Sequence, residues 1–340
     1  NSIEEILLAE KLISLHPWSE MVRFTRSGGD ANAVAIRIAR AATGKDKVAV
    51  CGYHGWHDWY LSSNINDRSS LDKHLMKNTP IAGVPKNLKN TVYSFEYNNF
   101  QQLKKIVEEQ NIGVIKMEVN RNFEPINNFL QNVRKLASDK KIVLIFDECT
   151  SGFRQTFGGL HKKYGIEPDL ALFGKALGNG YAISACIGRQ EFMQAAQQTF
   201  ISSTFWTERI GPSAALKTLE VMERTKSWKT ITEMGNQISK RGIRLIFGGG
   251  RVGLMGEVAD QVLAGGGKVT GVIPQFLNDL EVAHRGVTEL ITVDSMHERK
   301  YLMYNKSDAY VILPGGLGTL DELMEILTWK QLQIHISPII

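Results

Sequence analysis

The 340-residue sequence is poor in cysteine, in long apolar runs and in concentrated charge, and each shortage removes a class of protein. Its three cysteines, Cys51, Cys149 and Cys186, are an odd number and sit in or beside apolar runs. They read as reduced core thiols of a cytoplasmic protein, not as a disulfide scaffold. No apolar stretch approaches the roughly 20 residues that a membrane span needs, and the opening residues do not read as a secretory leader. The formal charge of +5 is spread along the chain, so no basic block invites nucleic acid. Repeats, low-complexity tracts and Pro/Ser linkers are also missing. The first residue, Asn1, already lies in an amphipathic pattern (Ile3, Ile6, Leu7, Leu12), so further chain upstream is expected.

What is present is alternation. Strand-like runs recur at Met21 to Phe24, Val48 to Gly52, Gly113 to Glu118, Ile142 to Asp147, Leu170 to Phe173 and Ile183 to Gly188. Helical periodicity falls between and after them: to about Leu15, from Asp30 or Ala31 to Thr43, Phe100 to Glu109, Asn127 to Asp139, Gly211 to Arg224 and Ile231 to Arg241. This pattern predicts an α/β fold with a mainly parallel, helix-covered sheet. At Gly242 the pattern restarts with a strand, a glycine loop, a helix and a strand, and Asp308 to Leu332 adds another strand, loop and helix. A second α/β unit is expected, giving domains 1–240 and 241–340.

In the first part, Asp169 to Gly180 is pivotal. The run to Phe173 reads as a buried parallel strand, which places Lys175 at its carboxyl end, where open α/β sheets bind ligands. A lysine shielded from water there can lose its proton and condense with an aldehyde, although most lysines are simply solvated. Asp147 ends another such strand and can hold a pyridinium nitrogen protonated, or act as a helix cap or surface acid. Ser27, Gly28 and Gly29 open a helix whose N–H groups suit a phosphate, though such turns also merely cap helices. Tyr53 and His54 follow a strand, where an aromatic ring could stack on a planar cofactor. The His54 to His57 spacing lacks grouped cysteines or carboxylates, so no metal is expected.

Together these residues resemble the class III, fold type I, pyridoxal-phosphate aminotransferases, particularly those similar to glutamate semialdehyde aminomutase, over residues 4–238. The resemblance implies the fold type I large domain and a pyridoxal 5′-phosphate cofactor. Lys175 would carry the cofactor as a Schiff base and shuttle the proton, and Asp147 would pair with the ring nitrogen. Ser27, Gly28 and Gly29 would hold the phosphate, with Tyr53 stacked on the ring and His54 beside it. Glu118 matches the acid of the family's Glu-Pro segment, with Val119 in place of the proline. Thr204 matches the threonine that reaches the phosphate of a neighbouring subunit, which implies a homodimer. Asp30 stands where the family usually has glutamate. The family's N-terminal pocket segment and C-terminal small domain are not present, so the resemblance identifies no particular amino substrate.

In the second part, Gly248, Gly250 and Gly253 satisfy GxGxxG after a strand, which raises a dinucleotide reading. The next strand, however, ends in Pro274 and not in the acid that binds ribose. A second glycine loop, Pro314 to Glu322, also opens a helix, and two such cradles suit a nucleoside monophosphate. These residues, with Ser295 to Lys300, resemble the lonely-guy (LOG) family of phosphoribohydrolases over residues 241–340, a family often mislabelled lysine decarboxylase. Arg299 and Glu322 would then be the catalytic pair, and Gly315, Gly316, Gly318 and Thr319 would hold the phosphate of a nucleoside 5′-monophosphate. On the residues alone, Arg299 and Glu322 could also be an exposed helical charge pair. Both resemblances are partial and meet within a helix, as in a chimera. The first reading is thus an aminotransferase or aminomutase, the second a hydrolase, and the third a catalytically silent fusion.

Overall fold

A computed structural model of the chain describes residues 2–74, 77–120, 124–251, 254–279, 283–313 and 317–340. It divides into two compact units, 1–228 and 229–340. The first of these ends at Trp228, and Ile238 of the helix Ser227–Lys240 packs on the core of the second.

The first unit is built on seven strands: β1 (Met21–Thr25), β2 (Val48–Cys51), β3 (Val92–Ser94), β4 (Val114–Glu118), β5 (Val143–Asp147), β6 (Leu170–Phe173) and β7 (Ser184–Gly188). Their order is β1-β7-β6-β5-β4-β2-β3. β7 runs antiparallel to both of its neighbours, β1 and β6, and the remaining pairs are parallel. Strands covered on both faces read as continuous apolar runs, and β2, β5 and β6 are buried throughout. One face carries α2 (Gly28–Thr43), whose Ala31, Ala35 and Ile38 pack on Val50, Ile145 and Leu172. The other carries the helices Phe100–Glu109 and Phe129–Asp139, with Leu103, Val133 and Leu136 against Ile115 and Phe146. A third layer joins α1 (Ile3–Leu15) and the helix Ile210–Thr225 to Phe173 and Ile187. All three cysteines are buried thiols outside any disulfide.

The second unit has a parallel sheet in the order β10-β9-β8, from β8 (Leu245–Phe247), β9 (Val269–Pro274) and β10 (Glu289–Val293). The strand expected after Asp308 does not join it. Tyr310 and Ile312 instead exchange backbone hydrogen bonds with Pro338 and Ile340 near the chain's last residue. A short apolar run says that it is extended, but not which neighbour supplies its partners. No helix among the described residues is long and apolar enough to cross a membrane.

Candidate active site

Strands β4, β5 and β6 are parallel and their ends are level. Glu118 lies opposite Asp147, and Asp147 opposite Leu172, so the carboxyl edge of three adjacent strands carries both acids. From Leu172 the chain passes through Phe173 and Gly174 into Lys175. Lys175 has φ +44°, a left-handed conformation that a side chain adopts at a cost of roughly 1–2 kcal/mol. Its Nζ donates to Thr150 Oγ1 at 2.7 Å. The residue remains exposed, so the shielding from water expected of it is incomplete. Partial burial still lowers its pKa below the ordinary lysine range, against the upward pull of Cys149, Glu118 and Asp147.

Asp147 is buried and held on both oxygens. Oδ1 accepts the Cys149 N–H at 3.2 Å, and Oδ2 lies 2.9 Å from His54 Nδ1 and 3.8 Å from Lys116 Nζ. Burial alone would raise its pKa, but the charge of Lys116 and the hydrogen bond from His54 outweigh it, leaving the carboxyl below the usual carboxylate range. Asp147 is therefore an anion, and His54 donates from Nδ1.

Ser27 is the N-cap of α2, and its Oγ accepts the Asp30 N–H at 3.1 Å. The helix begins at Gly28, earlier than its apolar periodicity suggests, and the first intrahelical backbone bond comes from Ala31. Gly28 and Gly29 thus present N–H groups that have no acceptor within the helix. A Cβ on Gly29 would stand 2.9 Å from His57 Nε2. Added Cβ atoms on Gly28 and Gly174 would lie 3.5 and 3.6 Å from the same Cys149 Sγ. The helix start and the residue before Lys175 therefore meet at one thiol.

Glu118 Oε2 accepts the Tyr53 N–H at 2.9 Å and packs on the bare backbone of Gly52, whose φ is +110°. Tyr53 is partly exposed and meets Tyr60 edge-on. Thr204 opens the short turn Thr204–Thr207, and Arg26 Nε binds the carbonyl of Phe205 in that turn at 2.7 Å. Among the described hydrogen bonds, none joins Thr204 to Lys175 or Asp147. The structure thus gathers Ser27, Gly28, Gly29, Tyr53, His54, Glu118, Asp147 and Lys175 at one sheet edge. It adds Thr150, which no sequence pattern marks, and Lys116, whose signal is a lysine inside the apolar strand Val114–Glu118.

In the second unit, Arg299 is buried and its Nη1 lies 2.8 Å from Glu322 Oε1, while Nε donates to the Val272 carbonyl at 3.3 Å. This is not an exposed helical charge pair. The two side chains come from the helices Met296–Asn305 and Leu317–Gln331, and the guanidinium fills the space over Gly248. Gly318 and Thr319 lie in the first turn of the second helix, with open space at Gly318. Gly315 and Gly316 lie outside the described residues.

The model of the class III aminotransferase family matches residues 2–245, and a model described as possible lysine decarboxylase matches residues 255–340. The chain is similar to the 3-aminobutyryl-CoA aminotransferase of Cloacimonas acidaminovorans, 38% identical over 68% of this chain and 54% of that protein. It is likewise similar to the glutamate-1-semialdehyde 2,1-aminomutase of Methanobrevibacter smithii, 34% identical over 68% of this chain and 56% of the relative. The chain spans about half the length of these curated relatives. Among solved structures, the PLP internal aldimine form of the FumI protein of Sphingopyxis sp. MTA144 is 25% identical, with a TM-score of 0.62 over 71% of this chain and 56% of that one.

Proposed function

We propose, for a chain that belongs to the class III aminotransferase family, that it holds pyridoxal 5′-phosphate at the carboxyl edge of its seven-stranded sheet. There it would exchange an amino group with a small amino or carbonyl compound, by transamination or by transfer within one molecule. The observation that carries this reading is the pairing of a buried, ionised Asp147 with Lys175 on the next strand's exit, beside a glycine-opened helix start.

The residues fit the cofactor. A buried anion suits a protonated ring nitrogen, an amine with a depressed pKa suits an aldehyde, and a helix of 16 residues begun by Ser27, Gly28 and Gly29 suits a dianionic phosphate. When bound, the cofactor supplies an aldehyde carbon and an electron sink. Asp147 then keeps the ring nitrogen protonated and His54 fixes the orientation of Asp147. Lys175 Nζ, neutral at lower pH than a solvated lysine, supplies the amine and afterwards moves a proton at the substrate carbon. Tyr53 would lie against the cofactor, and Thr204 would help hold the phosphate in a second copy of the chain, so the working unit would be a homodimer. Incubation with pyridoxal phosphate should give a yellow, dialysis-resistant protein. Loss of that band in Lys175→Ala supports the reading, and a colourless unsubstituted protein refutes it.

The buried Arg299–Glu322 pair favours a second reading for residues 255–340, the release of a base from a nucleoside 5′-monophosphate. Glu322 would assist cleavage of the N-glycosidic bond, Arg299 would orient the substrate, and Gly318 and Thr319 would bind phosphate. AMP should yield adenine and ribose 5-phosphate, lost in Glu322→Ala; unchanged AMP after prolonged incubation would dismiss this reading.

A further inference from the structure

Lys116 occupies the middle of β4, where its register partners are Val50 on β2 and Ile145 on β5. Those partners belong to the apolar layer under α2, and Lys116 is itself fully buried. A cation in such a place is costly unless a charge or hydrogen bonds repay it. Its Nζ makes no hydrogen bond, and Asp147 Oδ2 is its counter-charge at 3.8 Å. Burial lowers its pKa, opposed first by Asp147 and then by Cys149, Cys186 and Glu118. An apolar side chain of the same length would fill the space at lower cost, so packing does not account for a lysine here.

The groups facing this amine are few. Glu118 lies on its own strand, Asp147 and Cys149 on and after β5, and Cys186 on β7. His54 reaches the same carboxylate from the loop after β2, and Lys175 feels Asp147 from the exit of β6. Any cation that binds Asp147 at the sheet edge therefore competes with one already beneath it.

We propose that Lys116 is a positioning residue that shares Asp147 with the bound ring. Its ammonium holds the carboxylate ionised and in place before the ring arrives, and afterwards draws off part of the charge that the ring's N–H would otherwise have to itself. The inference rests on the cofactor reading given above. It makes the Asp147 site weaker toward a ring cation than an isolated buried aspartate would be, and it ties the proton on Lys116 to the proton on the ring.

The test uses Lys116→Met, which keeps length and removes charge. Carbon NMR of Asp147 in the cofactor-free protein should show a carboxyl that binds its proton about tenfold more tightly than in the unsubstituted protein, equivalent to one pKa unit. Nitrogen NMR of the ring in protein loaded with labelled pyridoxal phosphate should show the ring nitrogen holding its proton more tightly in the variant. Should the variant not fold, the Nζ resonance of Lys116 in the unsubstituted protein is followed instead; loading should loosen its proton by about tenfold. Unshifted carboxyl and ring signals in a folded variant, or an Nζ resonance unmoved by loading, overturn the role of Lys116 alone. A protein that shows the Asp147 shift but takes up no pyridoxal phosphate overturns the cofactor reading, and with it the sharing.

Discussion

Glu118 and Asp147 stand opposite each other on neighbouring parallel strands, and their carboxylates hold consecutive residues of one loop: Glu118 the backbone of Tyr53, Asp147 the ring of His54. The loop after β2 is thus fixed by two acids before any ligand arrives, and only Asp147 also faces Lys116 at ion-pair distance.

The two acids should therefore fail differently. Asp147→Asn keeps the shape and an acceptor for His54 but loses the charge, so pyridoxal phosphate should bind at least about tenfold more weakly while the far-ultraviolet spectrum is kept. Glu118→Ala removes the acceptor of the Tyr53 N–H and should cost about 1–3 kcal/mol in urea unfolding. Equal losses of cofactor affinity in Asp147→Asn and Glu118→Gln would argue against this division.

Ser27 caps α2, and removing the hydroxyl should lower the stability of the first unit by about 1 kcal/mol, or a melting-temperature drop of roughly 2–4 °C. Because the same turn is the proposed phosphate cradle, Ser27→Ala should also weaken pyridoxal phosphate more than pyridoxal. A variant that melts earlier but keeps the ratio of the two affinities would restrict Ser27 to capping.

His16 contributes to the acid sensitivity of the fold. Burial pushes its pKa down to about 4, against the hydrogen bond to the Leu12 carbonyl at 2.9 Å from Nδ1, which favours the charged ring. Nε2 accepts the Gly159 N–H at 2.9 Å, so a second proton there would displace that bond. The unfolded chain binds a proton here that the folded chain refuses, so this stability is whole above the unperturbed histidine value of about 6.5 and is lost as the pH falls toward about 4. The loss is on the order of 3 kcal/mol. Denaturant midpoints measured across that window should fall with pH, and the slope should flatten in His16→Gln. An unaltered slope would assign the acid sensitivity elsewhere.

Glu322→Gln should destabilise residues 229–340 by about 1–3 kcal/mol, since Arg299 is buried and loses its counter-charge. Hydrogen exchange of β9, whose Val272 carbonyl binds the same guanidinium, should rise with it. Unchanged protection of β9 would show the pair to be dispensable for the fold.

The parallel sheet was readable because strands buried on both faces leave unbroken apolar runs. Lys175 and Asp147 were readable for the same reason, since each ends such a run. The periodicity of the helix after β1 places its opening at Asp30 or Ala31, whereas it starts at Gly28, since two glycines carry no apolar periodicity to mark its first turn. Val92–Ser94 and Glu289–Val293 were missed: the first is too short to stand out, and the second is mostly unburied, so burial imposes no clean pattern on it. The pairing of Tyr310 with the chain's last residues depends on tertiary position, which local periodicity does not encode. Lys116 was visible as a charge in an apolar strand, but its approach to Asp147 depends on the register of β4 against β5.

The most direct test of the account is to reduce the protein with borohydride in the presence of pyridoxal phosphate and map the modified peptide by mass spectrometry. The account predicts a single phosphopyridoxyl group on Lys175, absent from Lys175→Ala. A modified Lys116, label scattered over surface lysines, or no label at all would contradict it.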